Sequence, residues 1–200
     1  MPRVRDTAPL GRAGLEVTRL SFGAATQGGL FQAVSEEDAR AAFQAAWDAG
    51  IRHFDTAPWY GYGQSESRLG EFLRDKSGYS LSSKVGRLLR AGIPPHPSQL
   101  ERDGSRGFKT DSPLNVVYDY SYDGVMRSVE DSLERLGLEK IDVLYIHDPD
   151  VLSLSVKAVL EGAGRALAEL RDGGLVGAIG AGMNGWEMPL ELARADLFDA

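Results

Sequence analysis

The 200-residue sequence predicts an α/β fold built on a parallel β-sheet. Its composition is typical of a globular domain, with 42% hydrophobic and 26% charged residues. Short apolar runs alternate with helix-like segments along the chain, and this alternation indicates five successive strand–helix units. Such units form parallel sheets with right-handed crossovers. The pattern fits either a closed barrel or a doubly wound open sheet.

The first three units are marked by short apolar runs and by one well-delimited helix. The expected strands lie at residues 20–24, 51–55 and 79–84, after a hairpin at 9–17. The first helix begins after Ser35, a favourable N-cap followed by three acidic residues, and ends before Gly50. A second helix is predicted over residues 65–74. Residues 85–117 contain many prolines and glycines and are predicted to form a long loop.

The last two units follow that loop. A helix begins after Ser121, carries apolar residues at spacings of three and four, and stops at Gly137. The other expected elements are strands at 141–146 and 175–179 and helices at 156–171 and 186–198. No internal repeat and no low-complexity linker divides the chain, so residues 1–200 are interpreted as a single domain.

Composition excludes several classes of protein. With no cysteine, the chain has no disulfide framework, thiolate metal site or cysteine nucleophile, and its three histidines lack the spacing of a zinc site. A net charge of −7 argues against sequence-independent nucleic-acid binding. No apolar run approaches the length of a membrane span or signal peptide. The sequence therefore predicts a cytoplasmic protein that uses no metal, nucleic acid or membrane.

Four polar residues are expected at one end of the parallel sheet. Asp55 ends the second strand and precedes Tyr60 by five residues, Lys84 ends the third strand, and His147 ends the fourth. Ligands of parallel α/β folds bind beyond the carboxyl ends of the strands, where these four side chains converge.

This set of groups predicts acid–base chemistry at a carbonyl or alcohol carbon. A tyrosine phenol ordinarily has a pKa near 10, and a lysine ammonium within a few ångströms lowers it. An aspartate can hold that lysine, while a histidine can bind the oxygen that is transformed. Nothing in the sequence supplies a hydride, so a nicotinamide cofactor is implied.

Taken singly, each of the four residues has an ordinary structural explanation. Asp55 could cap a turn, Tyr60 could pack in a loop, Lys84 could be a solvated charge and His147 could be a structural histidine. Their succession at strand ends favours the functional interpretation. The other two histidines, His53 and His96, are interpreted as structural.

Residues 180–185 match the GxGxxG dinucleotide motif and lie between a predicted strand and a predicted helix. That fingerprint belongs to the first strand–helix turn of its domain and needs an acidic residue about 20 positions later. Four units precede it here. We therefore interpret it as a glycine-rich loop at the rim of the sheet.

The sequence resembles the aldo-keto reductase family, and most closely its sugar dehydrogenases. The resemblance rests on the segments 10–23, 49–61, 117–127 and 136–150. It implies an (β/α)8 TIM barrel and a catalytic tetrad at Asp55, Tyr60, Lys84 and His147. In that tetrad Tyr60 is the general acid or base, Lys84 and Asp55 tune it, and His147 orients the substrate oxygen.

The resemblance also implies NAD or NADP as cofactor and an aldose or related aldehyde as substrate. It places Gly23, Asp55 and Asn184 against the cofactor and Trp59 and His147 against the substrate. The family's usual Ser-Asn pair after the fifth strand is replaced by Gly182, Met183 and Asn184. The expected reaction oxidises the anomeric hydroxyl to a lactone, with a pyridoxal-type alcohol dehydrogenase as an alternative.

A barrel of this kind has eight strand–helix units in about 250 residues, so a chain of 200 residues with five units is short. The expectation is a chain that ends after the fifth unit and lacks the last three. Such an incomplete barrel could be inactive, either as a fragment or until a partner completes it. A barrel aldolase that uses Lys84 for a Schiff base is a further alternative.

Overall fold

The chain opens with an antiparallel hairpin in the computed structural model, which describes residues 3–200. The hairpin consists of β1 (Thr7–Leu10) and β2 (Leu15–Thr18), as predicted. Thr18 ties it to the central sheet, because its Oγ1 accepts from the backbone N–H groups of Arg52 and His53, both at 3.1 Å. The hairpin therefore lies at the amino-terminal end of the strands.

Five parallel strands form the central sheet. In spatial order they are β3 (Phe22–Gly23), β4 (His53–Asp55), β5 (Ser80–Val85), β8 (Val143–His147) and β9 (Ala178–Gly182). The order along the sheet is the order along the chain, without the reversal that a doubly wound sheet requires. The predicted α/β fold is confirmed, and of its two candidate architectures the strand order is that of a barrel wall.

Helices connect these strands. They are α1 (Glu36–Ala49), α2 (Gln64–Leu73), α3 (Tyr122–Leu136), α4 (Val156–Val159), α5 (Arg165–Asp172) and α6 (Glu187–Arg194). The predicted caps are present: the side chains of Ser35 and Ser121 accept from Asp38 N–H and Gly124 N–H, and Gly50 and Gly137 are left-handed. No helix among residues 3–200 is both long and apolar enough to cross a bilayer.

The helix predicted over residues 156–171 is interrupted by a π-helical segment at Leu160–Gly164, between α4 and α5. A Cβ at Gly162 would lie 2.4 Å from the Tyr120 carbonyl oxygen. The wider π turn therefore brings the helix backbone against the start of α3, at a place where only glycine fits.

The core lies between the sheet and its helices. Phe43 of α1, Leu69 of α2 and Val125 of α3 are buried against Phe54 and Leu144 of the strands. Full burial of such side chains contributes about 1.5–3 kcal/mol each. This packing fixes the carboxyl ends of the strands relative to one another.

The prediction of an irregular loop over residues 85–117 is wrong. The segment contains a second antiparallel hairpin of β6 (Arg87–Ala91) and β7 (Leu114–Tyr118). Leu88, Leu89 and Val116 are buried in it. Leu89 lies opposite Val116 across the two strands, and these buried apolar side chains anchor an extra two-stranded sheet.

The predicted position of the last strand is also shifted. The sequence predicts residues 175–179, but β9 covers Ala178–Gly182 because Leu175 precedes the sheet and is 65% exposed. Gly180 lies in the strand, where it pairs with Tyr145 of β8, and a Cβ there would lie 2.7 Å from the Tyr145 ring. Part of the glycine-rich segment is therefore a strand, and only its end lies at the rim. The last helix is shorter than the predicted 186–198.

Candidate active site

Asp55 and Lys84 form an ion pair at the carboxyl ends of β4 and β5. Lys84 Nζ donates to Asp55 Oδ2 at 2.6 Å and to the carbonyl of Thr56 at 2.9 Å. Ser82 Oγ donates to Asp55 Oδ1 at 2.7 Å. The register pairs Asp55 with Ser82, two residues before Lys84, so both charged side chains lie on one face of the sheet. The buried ammonium is held by two acceptors.

Tyr60 lies in the loop after β4, next to this ion pair. Lys84 Nζ is 4.8 Å from the centre of the Tyr60 ring. The Tyr60 backbone is fixed by a close approach to Gly28, where a Cβ would lie 2.5 Å from the Tyr60 carbonyl carbon. The Tyr60 ring therefore lies beside a fixed positive charge.

His147 completes the group from the end of β8. Its ring centre is 5.8 Å from that of Tyr60, and the planes are nearly perpendicular at 89°. Burial lowers the pKa of His147 well below the ordinary value, and the charges of Arg87 and Lys84 act in the same direction. The imidazole is neutral at pH 7.

The proton of this neutral ring is assigned to Nε2. Nδ1 is buried and has no hydrogen-bond partner in the described part of the chain, whereas Nε2 is 3.4 Å from Asp148 Oδ2. A buried N–H without an acceptor is costly, so the proton is assigned to the other nitrogen. Nε2 then offers a hydrogen-bond donor.

Two charged residues of the site were missed in the sequence. Arg87 is 2% exposed, and its Nη2 donates to Asp148 Oδ2 at 2.5 Å. The Arg87 guanidinium lies 4.2 Å from the centre of the Trp59 ring. Burial raises the pKa of Asp148 above its ordinary value, although Arg87 opposes the shift. A lone arginine inside the apolar run 85–89 is the signal that could have identified this pair.

A cavity of about 410 Å³ opens at this end of the sheet. Among the predicted site residues, it is lined by Trp59, Tyr60, Lys84, His147 and Asn184. Asp55 lies behind Lys84 and does not line it. The segment between β6 and β7 forms the opposite wall, where Phe108 packs edge-on against Trp59 at 5.3 Å.

Gly23 and Asn184 are the remaining residues predicted to contact a cofactor. Gly23 pairs with Asp55 across β3 and β4, and open space surrounds the position of its absent Cβ. Asn184 lines the cavity and is exposed, so its amide is free to offer both a donor and an acceptor. These groups match the needs of a nicotinamide carboxamide, and the residues present fit that end of the cofactor.

The glycine-rich segment around Gly185 does not suit a phosphate. A Cβ at Gly185 would lie 3.4 Å from an Asp150 carboxylate oxygen and 3.5 Å from a Glu187 oxygen. Two carboxylates near the start of α6 oppose an anion there. This geometry agrees with the interpretation that residues 180–185 are not a dinucleotide fingerprint.

Comparisons with known proteins identify the family. The profile of the aldo/keto reductase family matches residues 19–194. The chain is 46% identical to pyridoxal 4-dehydrogenase of Microbacterium luteolum over 98% of its length, and 45% identical to D-threo-aldose 1-dehydrogenase of a Pseudomonas species over 85%. A glycerol dehydrogenase structure from Gluconobacter oxydans superposes with a TM-score of 0.69 at 26% identity, covering 96% of this chain and 52% of that one.

The matched part of each relative is limited. The chain spans 60% of the pyridoxal 4-dehydrogenase and 51% of the aldose dehydrogenase. Within that span the profile match covers β3 to α6, including every strand end that carries a predicted site residue. On this evidence the chain belongs to the aldo/keto reductase family.

Proposed function

We propose that this protein is an NAD(P)-dependent oxidoreductase that transfers a hydride between a nicotinamide and an aldose, with Tyr60 as the acid–base group. The substrate is oxidised at its anomeric hydroxyl, and the product is a lactone. The observation that carries the proposal is the placement of Lys84 Nζ, 2.6 Å from Asp55 and 4.8 Å from the centre of the Tyr60 ring.

In the oxidation direction, Tyr60 takes the proton of the substrate hydroxyl. The ammonium of Lys84 stabilises negative charge on the phenol oxygen, and Asp55 and the Thr56 carbonyl keep that ammonium in place. His147 donates from Nε2 to the substrate oxygen and orients it. The carbon–hydrogen bond breaks with its electron pair and the carbonyl double bond forms. The nicotinamide supplies the acceptor for that hydride when it is bound.

The residues at the end of β9 support the cofactor assignment. Asn184 lines the cavity and is proposed to hold a nicotinamide carboxamide, and the open space at nearby Gly182 is proposed to accommodate a flat ring. Gly23 and Asp55 lie at the neighbouring strand ends, within the region proposed for the cofactor. Substrate is proposed to bind in the cavity against Trp59 and His147.

Two substrate classes are supported by comparable similarity. The D-threo-aldose 1-dehydrogenase, at 45% identity, supports an aldose as substrate. The pyridoxal 4-dehydrogenase, at 46% identity, supports a pyridoxal-type hemiacetal or alcohol. Both present a hydroxyl on the carbon that loses hydride, so one tetrad serves either. A Schiff-base role for Lys84 is disfavoured, because its ammonium is already bound to a carboxylate and a carbonyl.

The proposal is tested by binding and turnover measured together. NADH and NADPH are titrated while tryptophan fluorescence is followed, since Trp59 lines the cavity. Reduction of NAD⁺ or NADP⁺ is then recorded with L-fucose, D-arabinose and pyridoxal. We expect saturable quenching and turnover of at least one substrate. Folded protein that shows neither signal would contradict the proposal.

A further inference from the structure

Asp148 presents a carboxylate to the active-site cavity directly beside His147. Asp148 lines the cavity and is 9% exposed. Its Oδ2 lies 3.4 Å from His147 Nε2. The other oxygen, Oδ1, receives no hydrogen bond from any residue in the range 3–200. It is not fully buried. That oxygen is available to a ligand.

The backbone of Asp148 is held in a demanding conformation. Its φ of 45° and ψ of 58° are left-handed, although it precedes Pro149. Proline restricts the preceding residue to extended conformations, so this geometry needs support from its surroundings. Tyr120 gives that support: its hydroxyl donates to the His147 carbonyl at 2.5 Å, and the hydroxyl oxygen also lies 3.1 Å from the Asp148 carbonyl oxygen.

Arg87 holds the side chain of Asp148 in place. Its Nη2 occupies Asp148 Oδ2 at 2.5 Å, while Trp59 covers the guanidinium face at 4.2 Å. Arg87 does not line the cavity, so it does not itself reach a ligand there. The arrangement places one carboxylate oxygen against the protein and leaves the other toward the cavity.

The opposite wall adds a second unsatisfied polar group. Gln99 lines the same cavity and is 2% exposed. Its Nε2 donates to the Val116 carbonyl at 3.4 Å, but Oε1 has no partner within the described structure. Buried polar atoms in a native cavity normally have partners. A ligand with several hydroxyl groups supplies donors for both Gln99 and Asp148.

We propose that Asp148 binds the hydroxyl on the carbon next to the reacting carbon, and thereby selects sugars over simple alcohols and aldehydes. The inference rests on the proposed function, in which His147 binds the reacting oxygen. Vicinal hydroxyl oxygens lie within hydrogen-bonding distance of each other. His147 Nε2 is adjacent to the Asp148 carboxylate, 3.4 Å from its Oδ2, so the imidazole can bind one hydroxyl while the unoccupied Oδ1 binds the next. Arg87 is a positioning residue, since it acts only through Asp148.

The same geometry disfavours substrates without a second hydroxyl. Such a substrate displaces water from Asp148 and offers no donor in return, which leaves Oδ1 without a hydrogen bond although Oδ2 stays paired with Arg87. A site with a buried polar group discriminates strongly against an analogue that lacks the matching hydroxyl. Selectivity for sugars therefore follows from one carboxylate and its arginine.

The test compares the binding of L-fucose and 2-deoxy-L-fucose by ligand-observed NMR, with wild type and Asp148→Asn. Asparagine tolerates the left-handed conformation, so the variant keeps the backbone. We expect wild type to bind L-fucose about 10-fold more tightly than the deoxy sugar, and Asp148→Asn to lose this preference. Asp111→Asn, an exposed position outside the cavity, is expected to keep the wild-type ratio.

Arg87 variants separate positioning from folding. Arg87→Lys keeps a cation beside Asp148 and is expected to retain most of the 2-hydroxyl preference, whereas Arg87→Met is expected to lose it. Circular dichroism melts identify any variant that fails to fold. If Arg87→Met is folded and has the wild-type ratio, the positioning role is wrong.

The outcomes also distinguish this inference from the proposed function. Binding with the expected ratio but no turnover contradicts the oxidoreductase and supports the role of Asp148. Turnover of L-fucose with an unchanged ratio in Asp148→Asn supports the oxidoreductase and overturns the role of Asp148. Failure of wild type to bind either sugar also overturns it.

Discussion

Lys84 Nζ and Asp55 Oδ2 lie 2.6 Å apart, although the residues are separated by 29 positions in the sequence. The contact exists because β4 and β5 are adjacent and parallel, with Asp55 opposite Ser82. A buried ammonium without a partner is unfavourable, so the carboxylate makes a charged Lys84 compatible with its burial. Tyr60 lies beside this charge, and the first two predictions follow from it.

Replacing Tyr60 with phenylalanine is expected to abolish the chemical step and to leave cofactor binding intact. The change removes only the hydroxyl that is proposed to carry the proton, and loss of an acid–base group costs about 10²–10⁴-fold in rate. Turnover is measured spectrophotometrically, and binding by fluorescence quenching with NADPH. Tyr79→Phe, at the opposite end of the sheet, is the matched control. Wild-type turnover in Tyr60→Phe would exclude this residue as the acid–base group.

Replacing Lys84 with methionine is expected to change the pH dependence of turnover as well as its rate. Without the ammonium, negative charge on the Tyr60 oxygen loses its nearby stabilisation. The rate is recorded across pH for both proteins, with the exposed Lys157→Met as control. A lower rate with an unchanged profile would mean that Lys84 is structural.

The strand ends that carry the predicted site are predictable because they depend on local signals. Ser35 and Gly50 delimit α1, Ser121 and Gly137 delimit α3, and the apolar runs between helices are the strands. In a parallel sheet, the residues at the carboxyl ends of the strands all lie at the same end of the sheet. Asp55, Lys84 and His147 therefore come together in space without any further information.

Other features depend on contacts between distant residues. The β6–β7 hairpin pairs Leu88 with Val117, and no turn motif of two or three residues joins its strands. Gly180 lies in a strand against its propensity, because the Ala200 carbonyl and the Tyr145 ring occupy the space of a side chain. Arg87 and Asp148 are charged, and their burial is favourable only because they meet each other.

A buried carboxylate outside the active site joins three elements of the fold. Glu66 on α2 is 0% exposed; it accepts from Ser83 Oγ at 2.8 Å and from Arg135 Nε at 2.6 Å. Glu66→Gln removes the charge and leaves Arg135 without its partner. We expect the free energy of unfolding to fall by about 3 kcal/mol.

Urea denaturation measures this change as a lower midpoint at an unchanged slope. Glu71→Gln, an exposed position on the same helix, is expected to alter stability by less than about 0.5 kcal/mol. Equal midpoints for Glu66→Gln and Glu71→Gln would show that the buried pair does not stabilise the fold.

The burial of His147 predicts a loss of stability as the pH falls. Its pKa is well below the ordinary 6.5 in the folded protein, because burial and the charges of Arg87 and Lys84 disfavour the imidazolium. Between that lowered pKa and 6.5, the unfolded chain binds more protons than the folded one. The free energy of unfolding therefore decreases as the pH falls from about 7.5 to about 5.5. Burial also lowers the pKa of His53, which adds to the decrease.

His147→Gln isolates the contribution of this residue. Glutamine cannot be protonated, so the variant should lose less stability than wild type over the same pH range, whatever its absolute stability. The difference is measured by urea denaturation at several pH values, with pH 8 as the reference at which both histidines are neutral in the folded and unfolded chains. Parallel curves for the two proteins would mean that the imidazole is not kept neutral by its surroundings. The ring would then become an imidazolium as the pH falls through about 6.5, and the conclusion that burial keeps His147 neutral would be wrong.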